Sequence, residues 1–178
     1  CGSNLAAVMQ GDVDPLQLLF PNGDTTRIMR LYQDSPGPRL MNELVQEAIA
    51  QIATAYPAHR PLRILEIGAG TGGTTAHLLP SLQNRTTEYT FTDVSPLFLS
   101  DAQERFGEYP FVDYQVLDIE QSPQSQDFPL HHWDVIIAAN VLHATEDIQT
   151  TLAYVRQLLA TDGRLIVLEG TQPTLWLD

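Results

Sequence analysis

The spacing of apolar residues changes character near residue 60. Before it, they recur at the three- and four-residue intervals of helices. Asp14-Pro15 opens a short helix carrying Leu16, Leu18, Leu19 and Phe20, which Pro21 stops. Asp24 or Thr25 caps a second helix through Ile28, Met29, Leu31 and Tyr32, and Ser35-Pro-Gly-Pro38 breaks it. A third runs to about Tyr56, with Leu40, Leu44, Val45, Ala48, Ile49 and Ile52 as its apolar stripe. Beyond Pro57 and Pro61, short apolar runs alternate with amphipathic stretches. Strands are predicted over 63–67, 88–93, 111–117, 133–140 and 165–169, and helices over 72–82, 96–106 and 146–159. Asp162-Gly163 turns the chain into the last strand. Such alternation implies right-handed crossovers and a parallel sheet covered on both faces. The expected fold is α/β, with a Rossmann-like core over residues 61–178 and a helical region over 1–60. In such sheets ligands sit outside the carboxyl ends of the strands, where the strand order reverses.

The first strand ends in an acid, Glu66, and opens into glycines at 68, 70, 72 and 73. Glycine permits positive φ there and lets a ligand lie against the main chain. The helix that follows turns its free N–H groups toward the same place. Gly68, Gly70 and Gly73 satisfy the dinucleotide pattern G-x-G-x-x-G, whereas Glu66, Gly68, Gly70 and Gly72 satisfy E-x-G-x-G-x-G, a loop of S-adenosylmethionine-dependent enzymes. The loop alone supports both.

The other strand ends shift that balance. The second strand closes on Asp93, whose carboxylate can accept both hydroxyls of a ribose or cap the next turn. The third closes on Asp118-Ile119, an acid for an exocyclic amine with an apolar residue for the ring, or an Asx turn. A dinucleotide fold needs neither an acid two residues before its first glycine nor one ending its third strand. Glu66, Asp93 and Asp118 together therefore favour S-adenosylmethionine. After the fourth strand, Asn140 either holds the methionine end of such a cofactor or caps the loop. His143 follows, and Glu169 ends the fifth strand. Across adjacent strand tips Glu169 can orient the imidazole of His143 and raise its basicity, a base-and-orienter pair suited to taking a proton from a weakly acidic carbon or hydroxyl.

Composition narrows the classes further. The net charge of −13, from 9 basic and 22 acidic residues, argues against nucleic acid and against anionic membrane surfaces. No apolar stretch reaches the roughly 18 residues that cross a bilayer. The single cysteine, Cys1, rules out an internal disulfide framework and a cysteine metal site. The first residues carry no secretory pattern, so a cytoplasmic setting is expected. His131-His132 lack a third ligand nearby, so no metal is expected. His59, His77, Tyr32 and Trp176 have no partner that the sequence identifies.

Ile64-Leu-Glu-Ile-Gly-Ala-Gly-Thr-Gly-Gly-Thr74, Tyr89-Thr-Phe-Thr-Asp-Val-Ser95, Ala139-Asn-Val-Leu-His-Ala-Thr145 and Leu168-Glu-Gly170 resemble the carbon-methyltransferase domains of modular type I polyketide synthases. So does Asp14-Pro-Leu-Gln-Leu-Leu-Phe-Pro-Asn-Gly23, similar to that family's amino-terminal lid. The likeness covers nearly the whole chain. It implies a class I methyltransferase fold with residues 1–60 as helical lid. It also implies methyl transfer from S-adenosylmethionine, giving S-adenosylhomocysteine, to the α-carbon of a β-ketoacyl chain. That chain would be carried through phosphopantetheine on an acyl carrier protein, among neighbouring synthase domains. His143 is then the general base and Glu169 its partner. Glu66, Gly68, Ala69, Gly70, Gly72, Asp93, Val94, Asp118, Ile119 and Asn140 are implied to hold the cofactor. Two further strands usually complete this sheet, so a core truncated after its fifth strand is expected. The alternatives are an oxygen- or nitrogen-methyltransferase, a nicotinamide-dependent reductase, and a non-catalytic spacer.

Overall fold

The computed structural model describes residues 5–10, 12 and 35–170. The helices expected over 14–20 and 24–32, with Tyr32 and Trp176, lie outside the described residues, as does the lid motif at Asp14–Gly23. Helix α1 spans Leu5–Met9 and α2 spans Pro36–Ala55. The alternating part follows as β1 (Leu62–Ile67), α3 (Gly73–Leu82), β2 (Thr87–Asp93), α4 (Pro96–Phe106), β3 (Val112–Val116), β4 (Trp133–Ala139), α5 (Ile148–Leu158) and β5 (Leu159–Leu168). Short 3-10 turns occupy Pro123–Gln126 and Leu142–Ala144.

The five strands form one sheet in the order β3-β2-β1-β4-β5, with every pairing parallel. After β3 the chain crosses back over β1 to place β4, so the order reverses between β1 and β4. β1 is the central strand, and all but Arg63 of it is buried, as expected for a parallel strand covered on both faces. Leu62 and Ile64 face a cluster with Val45, Ile49, Leu78, Leu79, Ala102 and Phe106, so α2, α3 and α4 cover that side. Leu65 and Ile67 face the other side, with Trp133, Ile136, Val155 and Leu158 beneath α5. Burial of such aliphatic side chains contributes roughly 1.5–3 kcal/mol each. Among the described residues no helix is long and apolar enough to cross a membrane.

Four expectations change. Ser35-Pro-Gly-Pro38 is the start of α2 rather than a gap before it: Ser35 is the cap and Pro36 opens the first turn, where no N–H is needed. The stripe of α2 is also rotated. Val45 and Ile49 are buried, but Leu40 and Leu44 are exposed, and the polar Asn42 takes a buried place. Helix α5 begins at Ile148 instead of residue 146, because the Asp147 side chain accepts the Gln149 N–H at 3.0 Å and caps it. β5 starts directly after α5, and its register against β4 jumps from Trp133↔Leu159 to Val135↔Arg164. The extra residues bulge out around Asp162, at φ 66°, where the turn was expected.

Candidate active site

The carboxyl ends of β1 and β4 lie side by side at the switch point. The glycine loop leaves β1 with Gly68, Gly70 and Gly72 at φ 59°, 55° and 71°. A Cβ on Gly68 would stand 2.3 Å from Val141 Cγ2, and one on Gly72 would stand 2.6 Å from Phe106 Cε2. These glycines therefore let the loop press against the turn after β4 and against α4. Gly70 differs: a Cβ there would meet nothing closer than the Gly68 carbonyl oxygen at 3.9 Å. Among the described residues, nothing else stands within 4 Å of that side of its main chain.

Neighbouring strands hold the loop. The Ala69 N–H donates to the Thr92 carbonyl at 2.9 Å, and the Gly70 N–H to Asp93 Oδ2 at 3.0 Å. Asp93 Oδ1 accepts the Ser95 N–H at 2.9 Å. Asp93 thus makes the turn-capping bond and also fixes the loop, while each oxygen keeps a second lone pair. Val94, next in the chain, is 64% exposed at this rim.

Glu66 lies below the rim. Its side chain is fully buried on the α2–α3–α4 side, where Oε2 accepts Thr75 Oγ1 at 2.6 Å and the Tyr89 hydroxyl at 2.5 Å. Burial raises its pKa to about 7 against the opposing effect of these two bonds. The carboxyl therefore ties β1 to α3 and β2, and its route to a ligand would run through the backbone it positions.

Across the switch point the backbone after β4 turns sharply at Asn140, φ 54°, whose N–H continues the ladder to the Leu168 carbonyl at 2.7 Å. The 3-10 turn that follows carries His143, with a side chain 62% exposed. Glu169, leaving β5, is mostly enclosed at 17%. Its Oε1 accepts the Val141 and Leu142 N–H groups at 3.0 and 2.7 Å, and its Oε2 contacts His143 Nδ1 at 2.7 Å. An ionised carboxylate only accepts, so Nδ1 carries the proton in this contact. In the neutral imidazole Nε2 is then left with a bare lone pair. His143 and Glu169 help line a depression of about 410 Å³, together with Leu142, Ile148 and Val167.

A family model described as a methyltransferase domain matches residues 65–165, from the end of β1 into β5. The chain belongs to this family. The non-reducing polyketide synthase pks11 of Talaromyces marneffei is 42% identical over 181 residues, covering 99% of this chain and 7% of that protein. The chain thus spans under a tenth of the curated synthases it matches. Among solved structures, the CurJ carbon methyltransferase superposes with a TM-score of 0.95 at 51% identity, covering all of this chain and 47% of that one. The trans-methyltransferase CalH in complex with S-adenosylhomocysteine gives 0.83 at 37% identity, covering 99% and 48%.

In this methyltransferase domain the remaining expected residues divide. Asp118 forms a turn: its Oδ1 accepts the Glu120 N–H at 3.0 Å, and its main chain exchanges two 2.8 Å bonds with the Gln126 amide. Ile119 packs inside the core below α5 instead of standing at the rim. Sequence reasoning missed Thr75 and Tyr89, the hydroxyl partners of Glu66. It also missed Arg105, which donates to the Thr71 carbonyl at 3.0 Å while lying over the Phe106 ring. No spacing rule links those residues, because the contacts bridge separate elements. His77, without a partner in the sequence reading, sits with Nδ1 3.0 Å from the Gly73 carbonyl.

Proposed function

We propose that this domain methylates the α-carbon of a β-ketoacyl thioester borne on an acyl carrier protein, with S-adenosylmethionine as donor. The observation that carries the reading is the His143–Glu169 contact, locked by the Val141 and Leu142 amides and abutting the glycine loop through Val141. Similarity to a carbon methyltransferase and to polyketide synthases supports the carbon acceptor and a place among other synthase domains.

The residues fit the donor. The main chain at Gly70 takes a ligand closely, Gly68, Ala69 and Gly72 shape that cradle, Asp93 presents a carboxylate beside it, and Val94 offers an exposed apolar surface. Asn140 turns the β4 end toward the same space. The donor supplies a methyl group on a sulfonium, an electrophile whose departure leaves a neutral thioether. A carbon between a ketone and a thioester is acidified by both carbonyls. His143 Nε2 takes its proton, and the C–H electron pair passes into the enolate. Glu169 keeps Nδ1 protonated and stabilises the imidazolium that results. Holding base and acceptor in one groove removes much of the entropic cost of their encounter.

The test is incubation with methyl-labelled S-adenosylmethionine and a β-ketoacyl pantetheine or carrier-protein thioester. Hydroxyl and amine acceptors are offered in parallel. Label is expected at the α-carbon. Label only on oxygen or nitrogen overturns the acceptor, and transfer unchanged in His143→Ala overturns the base. Failure to bind any adenosyl cofactor would mark a spacer.

A further inference from the structure

Helices α2 and α3 pack through an apolar seam, with Val45 and Ile49 in one cluster with Leu78, Leu79 and Leu82. At the end of α3 nearest the glycine loop a polar pair replaces the apolar contacts. Thr74 Oγ1 donates to Asn42 Oδ1 at 2.9 Å, and the two residues are only 8% and 4% exposed. Thr74 lies two residues beyond Gly72, in the first turn of α3. The next residue, Thr75, is bonded to Glu66. The first turn of α3 is therefore pinned from two sides, by α2 through Thr74 and by β1 through Thr75.

We propose that Asn42 and Thr74 are positioning residues for the cofactor loop, a role that rests on the reading of that loop as the adenosyl-cofactor cradle. Apolar helix contacts tolerate sliding, since many staggered arrangements bury similar area. A buried hydrogen bond has one length and one direction, and losing either partner leaves the other desolvated and unpaired. Placed in this seam, it sets the register of α2 against the turn that aims the first N–H groups of α3 and carries Gly72. The first turn of α3 also holds the backbone of Thr71-Gly72 in line with the contacts from Arg105 and Phe106 on α4. Among the described contacts, the bond to Thr74 links Asn42 to the cofactor loop. Its effect reaches the cofactor through Thr74.

The experiment is calorimetric titration of the protein with S-adenosylhomocysteine, well below the melting temperature of every variant, alongside thermal melts. Thr74→Val keeps the shape and removes the hydroxyl. It is expected to weaken binding about tenfold, and Thr74→Ser, which restores the hydroxyl, should return it to within about twofold of the parent. Asn42→Ala should weaken binding similarly, and the double Asn42→Ala, Thr74→Val variant should be no weaker than the worse single one. Lower melting temperatures with unchanged dissociation constants would overturn the inference and leave a purely structural pair. Additive losses in the double variant would overturn it too, since the residues would then act separately. A parent protein that binds no S-adenosylhomocysteine would bring down the reading of the cradle and this inference with it.

Discussion

The glycine loop after β1 and the turn after β4 touch at Gly68 and Val141, yet they are held in opposite ways. The loop is braced by many neighbours: the Thr92 carbonyl, the Asp93 carboxylate, Arg105, Phe106 and, beneath it, Glu66 with Thr75 and Tyr89. Most of that bracing is buried. The turn carries an exposed histidine and depends on one side chain, Glu169, for two backbone N–H groups and for Nδ1. A cradle must keep one shape for a ligand to meet it with little reorganisation. A base must stay accessible to a substrate that arrives and leaves. The first is served by redundant packing, the second by a single carboxylate with both oxygens engaged.

The sharpest way to break this contrast is to remove the base alone. His143→Ala should lower methyl transfer by roughly 10²–10⁴-fold, while S-adenosylhomocysteine binding, measured by titration, stays within about twofold. A comparable loss of cofactor binding would show that the two turns are not separable. Glu169→Gln should cost roughly a hundredfold, because an amide has one acceptor oxygen and cannot serve both the backbone pair and Nδ1–H. Full activity in this variant would argue against any coupling between the two side chains.

Damage to the loop should be graver for folding. Gly68→Ala meets Val141 at 2.3 Å while φ stands at 59°. Overpacking and left-handed strain together cost about 3 kcal/mol. Denaturant unfolding should show that loss, and Val141→Ala in the same chain should recover part of it. No recovery would place the cost in the backbone alone.

The two turns were also unequally legible in the sequence. The glycine spacing announced a close approach because few other reasons put glycine at 68, 70 and 72, and β1 and β4 read as strands from their apolar runs. The pairing of His143 with Glu169 followed from strand-end positions, which a parallel sheet places together. The Glu66 side chain was not legible. Its neighbours Thr75 and Tyr89 lie on α3 and β2, and hydroxyls at those places resemble ordinary helix and strand residues. The burial of Ile119 was not legible for a related reason. An apolar residue after a strand can stay at the rim or turn inward, and the path of the following loop, set by the Gln126 amide, brings it into the cluster below α5. The α2 stripe was drawn from hydrophobicity, and Asn42 was passed over because a polar residue in a seam gives no periodic signal.

The smallest effect concerns Glu66 and tests whether the cradle is braced by a neutral or a charged group. Its pKa in the folded protein is about 7, against an ordinary value of 4.5, because burial disfavours the carboxylate more than Thr75 and Tyr89 favour it. Between those values the folded state binds more protons than the unfolded one, so stability falls as pH rises. The contribution is complete below about pH 4.5 and is lost as pH passes through about 7. Between pH 5 and 8 the loss should be roughly 2 kcal/mol. Glu66→Gln cannot titrate, yet it keeps an oxygen for both hydroxyls. The difference between parent and variant in urea midpoint should therefore move against the parent as pH rises and level off near pH 8. A flat difference would mean that Glu66 is ionised throughout, and the bracing under the loop would then rest on a buried charge held by two hydroxyls.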